Sequence, residues 1–147
     1  MEEIGIRGVP TRVWKHCPPT LRETLLNGRT HGDKIFLVHD DERVSFEAFY
    51  RAVTVFAAEL AAAGVKKGDR VALIMRNLPE WPVAFYAGLS LGAILTPLNA
   101  WWTGQELEYG LVDSGASVAV MDVERFERLA EHLHNCPDLK RVYVSRS

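Results

Sequence analysis

The side chains able to do chemistry are few and scattered. Trp101 and Trp102 are adjacent indoles just after Ala93 to Thr96, a run that reads as a strand stopped by Pro97. Open α/β sheets hold ligands beyond the carboxyl ends of their strands, so the pair stands where a ligand would be met. Large aromatics also serve as packing and interface residues, and the sequence leaves both roles open. Arg125 and Arg128 lie three apart on the helix that follows the next strand. They read either as an anion patch or as an exposed helix face pairing with Glu124 and Glu131. His132 and His134, two apart, fall on different sides of a helix, and with Cys136 they still lack a fourth ligand, so no metal site is expected. His16-Cys17 lies in a segment rich in Gly and Pro, with no base or positive setting to make a thiolate.

Motifs that bring their own chemistry are missing. There is no G-x-x-x-x-G-K-[ST] phosphate loop, and no G-x-G-x-x-G follows a strand. Gly88-x-x-x-Gly92 stands at the wrong end of its helix to cradle a phosphate. No G-x-S-x-G elbow presents a serine. The expectation is a chain with no catalytic residues of its own.

Bulk properties narrow the rest. The 147 residues suit one ordinary domain, and 17 basic against 19 acidic residues give a net charge of −2. Such a balance offers no electrostatic case for nucleic acid or an anionic membrane. Cys17 and Cys136, far apart in sequence, read as two reduced thiols of a cytoplasmic protein. Glu2 and Glu3 stand where a secretory signal would be basic.

The elements are organised around Trp81 to Gln105, which holds no Asp, Glu, Lys or Arg. It is long enough to span a bilayer, and Gly88-x-x-x-Gly92 matches a membrane pairing pattern. Pro97 and Asn99 interrupt it, however, and no Lys/Arg cluster flanks it. Burial in protein is the better reading. Pro79 to Leu91 predicts a helix that Gly92 closes or tightens, and Ala93 to Thr96 a strand. Gly88 and Gly92, four apart, predict a helix face that lets a neighbouring backbone come close.

Before this stretch, Met1 to Pro19 shows no period and reads as an arm. Thr20 to Glu23 is a capping box, opening a short helix with Leu21, Leu25 and Leu26 inward. Ile35 to His39 is a strand, and Glu42 to Val44 its return arm. Ser45 caps a helix whose Phe46, Phe49, Tyr50, Val53, Phe56, Ala57 and Leu60 share one face. Gly64-Val65 ends it. Arg70 to Met75 is a strand. After the central stretch, a second capping box at Thr103 to Glu106 opens a helix stopped by Gly115. Ser117 to Met121 is a strand, Asp122 caps the next helix, and Arg141 to Val144 is the last strand. This alternation predicts an α/β fold: a mainly parallel sheet with helices on both faces. The expected division is an arm and short helix over 1–33, then an α/β subdomain over 34–147.

The order of several short runs resembles one family. Val44 to Phe49 is similar to the first core motif of the adenylate-forming, acyl-activating enzymes. Gly64-Val65-Lys66-Lys67-Gly68-Asp69-Arg70-Val71-Ala72 resembles their G-V-x-x-G-D-R-V-A turn. Arg76 to Trp81 resembles P-N-S-P-E-F. Leu89 to Asn99 resembles the second core motif, L-K-A-G-A-x-x-x-P-L-N, and Glu106 to Ala116 the E-L-x-Y-x-L-x-D-S-G-A helix. Five such runs in order carry the resemblance over roughly Asp33 to Val144.

The resemblance implies the N-terminal subdomain of the acyl-CoA synthetase fold, within a ligase that uses ATP and Mg2+ to turn a carboxylic or fatty acid into an acyl-adenylate and passes the acyl group to CoA. The family's phosphate loop, its acidic ATP and Mg2+ ligands and its mobile lysine have no counterpart here. The chain is therefore expected to be the N-terminal part of such a ligase, inactive alone, with none of these cofactors tightly bound. By resemblance, the residues that would approach CoA are Asn99, Ala100, Trp101, Trp102, Arg125 and Arg128; the paired Trp departs from the usual loop. The expected partners are the acid, the remainder of the ligase, and further copies of the chain as a homo-oligomer. The alternative is a free-standing α/β binding or regulatory module without catalysis.

Overall fold

The computed structural model describes residues 1–147. Its centre is a parallel sheet of four strands: β5 (Arg70–Ile74), β6 (Ile94–Pro97), β7 (Val118–Asp122) and β8 (Arg141–Ser145), in the order β6-β5-β7-β8. Helix α3 (Glu80–Ser90) links β5 to β6, α4 (Gly104–Ser114) links β6 to β7, and α5 (Val123–Leu129), followed by a 3-10 turn over Ala130–Asn135, links β7 to β8.

The alternation of side chains along β5 builds two cores. Val71, Leu73 and Met75 enter one cluster with Phe49, Val53 and Leu60 of α2 (Phe46–Ala62) and Ala84 and Ala87 of α3. Ala72 and Ile74 enter the other with Leu107 and Leu111 of α4 and Leu129 of α5. A strand covered on both faces must be apolar throughout, which is why β5 and β7 read as unbroken hydrophobic runs.

The connections reverse direction in the middle of the sheet. The chain leaves β5 toward β6 through a helix on one face, and leaves β7 toward β8 through a helix on the other, as right-handed crossovers require. The switch point therefore lies between the carboxyl ends of β5 and β7, where open α/β sheets form their ligand crevice.

Four sequence expectations change. Met1 to Pro19 is not a featureless arm: β1 (Glu2–Ile6) and β2 (Val9–Val13) form an antiparallel hairpin. Its two-residue loop has Arg7 at φ 50° and Gly8 at φ 82°, and positive φ at both positions matches the strand twist of a tight hairpin. No other element makes more than marginal contact with it.

Helix α1 (Leu21–Arg29) buries Leu25 alone, leaving Leu21 and Leu26 exposed. Gly92 does not share a helix face with Gly88. It lies past the end of α3 at φ 75°, with its N–H on the carbonyl of Leu89 and the Ala93 N–H on that of Gly88, a Schellman closure in which glycine relieves a left-handed turn. Each glycine has its own close neighbour: a Cβ at Gly88 would lie 2.9 Å from Leu95 Cδ1, and one at Gly92 3.0 Å from Lys67 Cγ. Finally, the uncharged stretch is not wholly buried: Ile94 and Trp101 are exposed, because β6 is an edge strand and Trp101 stands beyond it.

Other short β structure is a second hairpin, β3 (Ile35–His39) with β4 (Glu42–Ser45).

Candidate functional site

At the switch point the backbone sets three loop ends side by side, and one carboxylate joins them. Asp122 ends β7 and is buried. Its Oδ1 accepts the Arg125 N–H at 3.0 Å, capping α5, and its Oδ2 accepts the N–H of Arg76, just past β5, at 3.1 Å. The Arg125 guanidinium closes the knot: Nη1 lies 3.2 Å from both oxygens of Asp122 and 2.8 Å from Glu124 Oε2, while Nε donates to the carbonyl of Ala100 at 2.8 Å. Arg125 is only 1% exposed. A charge so deep persists because a carboxylate and a carbonyl replace its water. Its Nη2 is buried without a partner.

Arg125 is thus neither on an exposed helix face nor free to meet an anion. It straps the loop after β6. Arg128, half-buried, adds to the strap: Nη1 donates to the carbonyls of Ala100 at 3.4 Å and Trp102 at 3.5 Å, and Nη2 pairs with Glu124. Asn99 tightens the loop from within, its Oδ1 accepting the Trp101 N–H at 3.0 Å. Trp102 turns inward, beside Leu98 against the core formed with α4 and across Gly110. Trp101 turns outward, 65% exposed, with the Arg76 guanidinium 3.9 Å from its ring centroid. Arg76, Asn77, Trp81, Asn99 and Trp101 line a cleft of about 360 Å3 at this end of the sheet.

All six residues singled out in the sequence therefore gather in one place, but in two roles. Asn99, Trp101 and part of Arg128 reach solvent, whereas Arg125, the Ala100 carbonyl and Trp102 hold the loop. Asp122 and Arg76 are the residues sequence reasoning missed. The i, i+3 spacing of Asp122 and Arg125 carried the signal for the first.

The loop feeds directly into α4. Thr103 Oγ1 accepts the Glu106 N–H, and Glu106 Oε2 accepts the Thr103 N–H at 2.8 Å. This backbone bond, with that from the Thr103 hydroxyl, holds the Glu106 carboxyl below its ordinary pKa. Further along, Glu108 Oε2 takes the Asn135 amide at 3.1 Å and His132 Nδ1 at 2.6 Å. These two bonds lower the Glu108 pKa and lock α4 to the 3-10 turn. His132 is thereby a packing residue. His134 shares no metal set with it, since no group of three His, Cys, Asp or Glu side chains could hold an ion. Cys136 is buried and its thiol pKa is pushed up by burial; Cys17 is exposed.

A larger cleft, about 480 Å3, opens at the opposite end of the sheet. Two of its charged residues are engaged: Arg70 donates to the carbonyls of Ser114 and Gly115, and Asp69 accepts the Lys66 N–H.

The family model described as "AMP-binding enzyme" matches residues 26–147. The chain belongs to the AMP-binding enzyme family. Among relatives of this chain, the long-chain-fatty-acid–CoA ligase of Escherichia coli O6:H1 is 37% identical over 99% of it and 27% of the relative. That of Yersinia pestis is 30% identical over the same shares, 99% and 27%. The chain thus spans about a quarter of the length of these relatives. The fold is that of solved adenylate-forming ligases: coronafacic acid ligase from Pectobacterium brasiliense superposes with a TM-score of 0.80 at 23% identity, covering 84% of this chain and 25% of that one. No helix is long and apolar enough to cross a membrane.

Proposed function

We propose that this chain supplies the first part of an ATP-dependent acyl-CoA ligase, a cytoplasmic AMP-forming enzyme that joins a fatty or other carboxylic acid to CoA. The acid's carboxylate attacks ATP, pyrophosphate leaves, and the thiol of CoA then displaces AMP from the acyl-adenylate. Support comes from the family match and from the ligases named above.

Within that reaction the chain's own residues offer no group of three His, Cys, Asp or Glu donors for a metal ion. Nor do they fit the ATP phosphates, for want of a glycine-rich cradle. The chain's part is to shape a surface for CoA. The observation that carries this role is the loop Asn99 to Trp102, strapped by Arg125 and Arg128 over the switch point with Trp101 facing outward. Asn99, Trp101 and Arg128 would face CoA; Ala100, Trp102 and Arg125 would hold the loop. An exposed indole backed by a guanidinium suits a planar base.

Of the alternative, a free-standing α/β binding or regulatory module, the form phosphorylated on a carboxylate at a strand end is disfavoured by Asp122. It is the one carboxylate ending a strand of the central sheet, and it is buried, paired and capping a helix.

A hybrid ligase provides the test. This chain replaces the matching segment of the Escherichia coli relative, and acyl-CoA formation is followed. Trp101→Ala should raise the KM for CoA about tenfold, the loss of one stacking contact, with the KM for ATP unchanged. An unchanged CoA KM would remove Trp101 from the CoA surface.

A further inference from the structure

Helix α1 rests on the rest of the molecule through Leu25, and beside that contact the packing is open. A pocket of about 160 Å3 lies between α1, β3, α2 and α3. Its apolar walls are Leu25, Phe36, Phe46, Phe49 and Tyr86, with Gly28 contributing backbone. The rings already use the geometry that aromatic pairs favour: Phe36 stands 4.6 Å from Phe46 and 4.9 Å from Phe49, centroid to centroid, and Phe49 meets Tyr86 edge-on at 5.9 Å.

Size and charge select the occupant. An enclosed apolar cavity of about 150 Å3 takes up a single benzene ring, and this pocket, partly open to solvent, has room of the same size for one ring. The only charged group at its wall is Arg29, and that charge is spent. Its Nε donates to Glu47 Oε2 at 2.8 Å, Nη2 to Oε1 at 3.3 Å, and its guanidinium carbon lies 4.2 Å from the Tyr50 ring centroid. An anion entering here would lose water and gain no free cation.

We propose that this pocket binds a small neutral aromatic molecule of one ring, of benzene or phenol size. It shares no residue with the loop of Asn99 to Trp102, and its occupation does not depend on the ligase reading.

The test is thermal unfolding of the whole chain, with NMR of the Leu25 methyls, in benzene, phenol and sodium benzoate. Benzene and phenol at ten times their Kd should raise Tm by about 3–6 °C and shift the Leu25 methyls, whereas benzoate at the same concentration should do neither. Two variants locate the effect. A Cβ at Gly28 would sit 3.5 Å from Phe46 Cδ1, an ordinary contact, so Gly28→Leu starts a larger side chain at the wall without a clash. Thr24→Phe covers the mouth from an exposed position. Loss of the response in a folded form of either variant supports the site. The proposal is overturned by no Leu25 shift up to ligand solubility, by an equal response to benzoate, or by a full response in both variants.

Discussion

Arg125 and Ala100, 25 residues apart in sequence, are joined by a 2.8 Å hydrogen bond from a buried guanidinium to a loop carbonyl. The same guanidinium pairs with Asp122, which in turn caps α5 and receives the backbone of Arg76. One side chain thus fixes the ends of β5, β6 and β7 relative to each other.

Removing that side chain should be costly. Arg125→Met leaves Asp122 buried and unpaired, and breaking a buried pair from one side costs about 3–5 kcal/mol. Chemical denaturation of wild type and variant measures it. A loss below about 1 kcal/mol, the scale of an exposed ion pair, would show that water replaces the guanidinium and that Arg125 does not hold the loop.

Gly88, within α3, and Gly92, just past its end, should respond differently to the same change. Gly92→Ala forces a Cβ into a residue at φ 75°, costing about 1–2 kcal/mol. Gly88→Ala gains helix propensity of about 1 kcal/mol and presses on the two methyls of the movable Leu95 side chain, so it should be close to neutral; Gly88→Val overpacks the contact and costs about 1–3 kcal/mol. Melting temperatures of the three variants check the order. Equal losses for the two alanine variants would contradict it.

Glu108 sets an acid limit. Its folded pKa lies below the ordinary 4.5, held down by the Asn135 amide and by His132. The unfolded chain therefore takes up the proton first as pH falls, so the stabilisation from Glu108 is present above about pH 4.5 and is lost as pH drops through the lower folded value. Tm measured from pH 6 to pH 3 should fall more steeply for wild type than for Glu108→Gln. Parallel curves would mean that the link from α4 to the 3-10 turn carries no stability.

Much of this was legible beforehand, for identifiable reasons. The helix caps at Ser45, Thr103 and Asp122 are short-range signals, and each appears as a bond from side chain to backbone. The parallel sheet followed from apolar runs alternating with amphipathic helices, and the six loop and helix residues did gather at one end of it. What was hidden depended on contacts distant in sequence. The N-terminal hairpin was obscured by its Gly and Pro content and by Arg7 in a turn position that favours glycine or asparagine. The burial of Arg125 was obscured because an arginine on a helix normally faces water, and only the Ala100 carbonyl and Asp122 together make its burial tolerable.

Self-association is a further expectation. Strands β6 and β8 leave two open sheet edges, Ile94 is exposed on one of them, and the hairpin of β1 and β2 exposes Ile4, Ile6 and Val9. Unpaired edges template pairing, and a net charge of −2 opposes it little. Size exclusion with light scattering should give a dimer or larger at micromolar concentration. A monomer mass across a tenfold concentration range would show that these surfaces are adequately solvated.

The central claim is that this chain contributes surface and positioning to a ligase whose adenylating groups it does not carry. ATP–pyrophosphate exchange tests it most directly. The purified chain, given Mg-ATP, labelled pyrophosphate and a panel of fatty and aromatic acids, should show exchange no higher than a blank without protein. Acid-dependent exchange above that blank, reproducible across preparations and lost on heat denaturation, would place adenylating chemistry within these 147 residues and contradict the account.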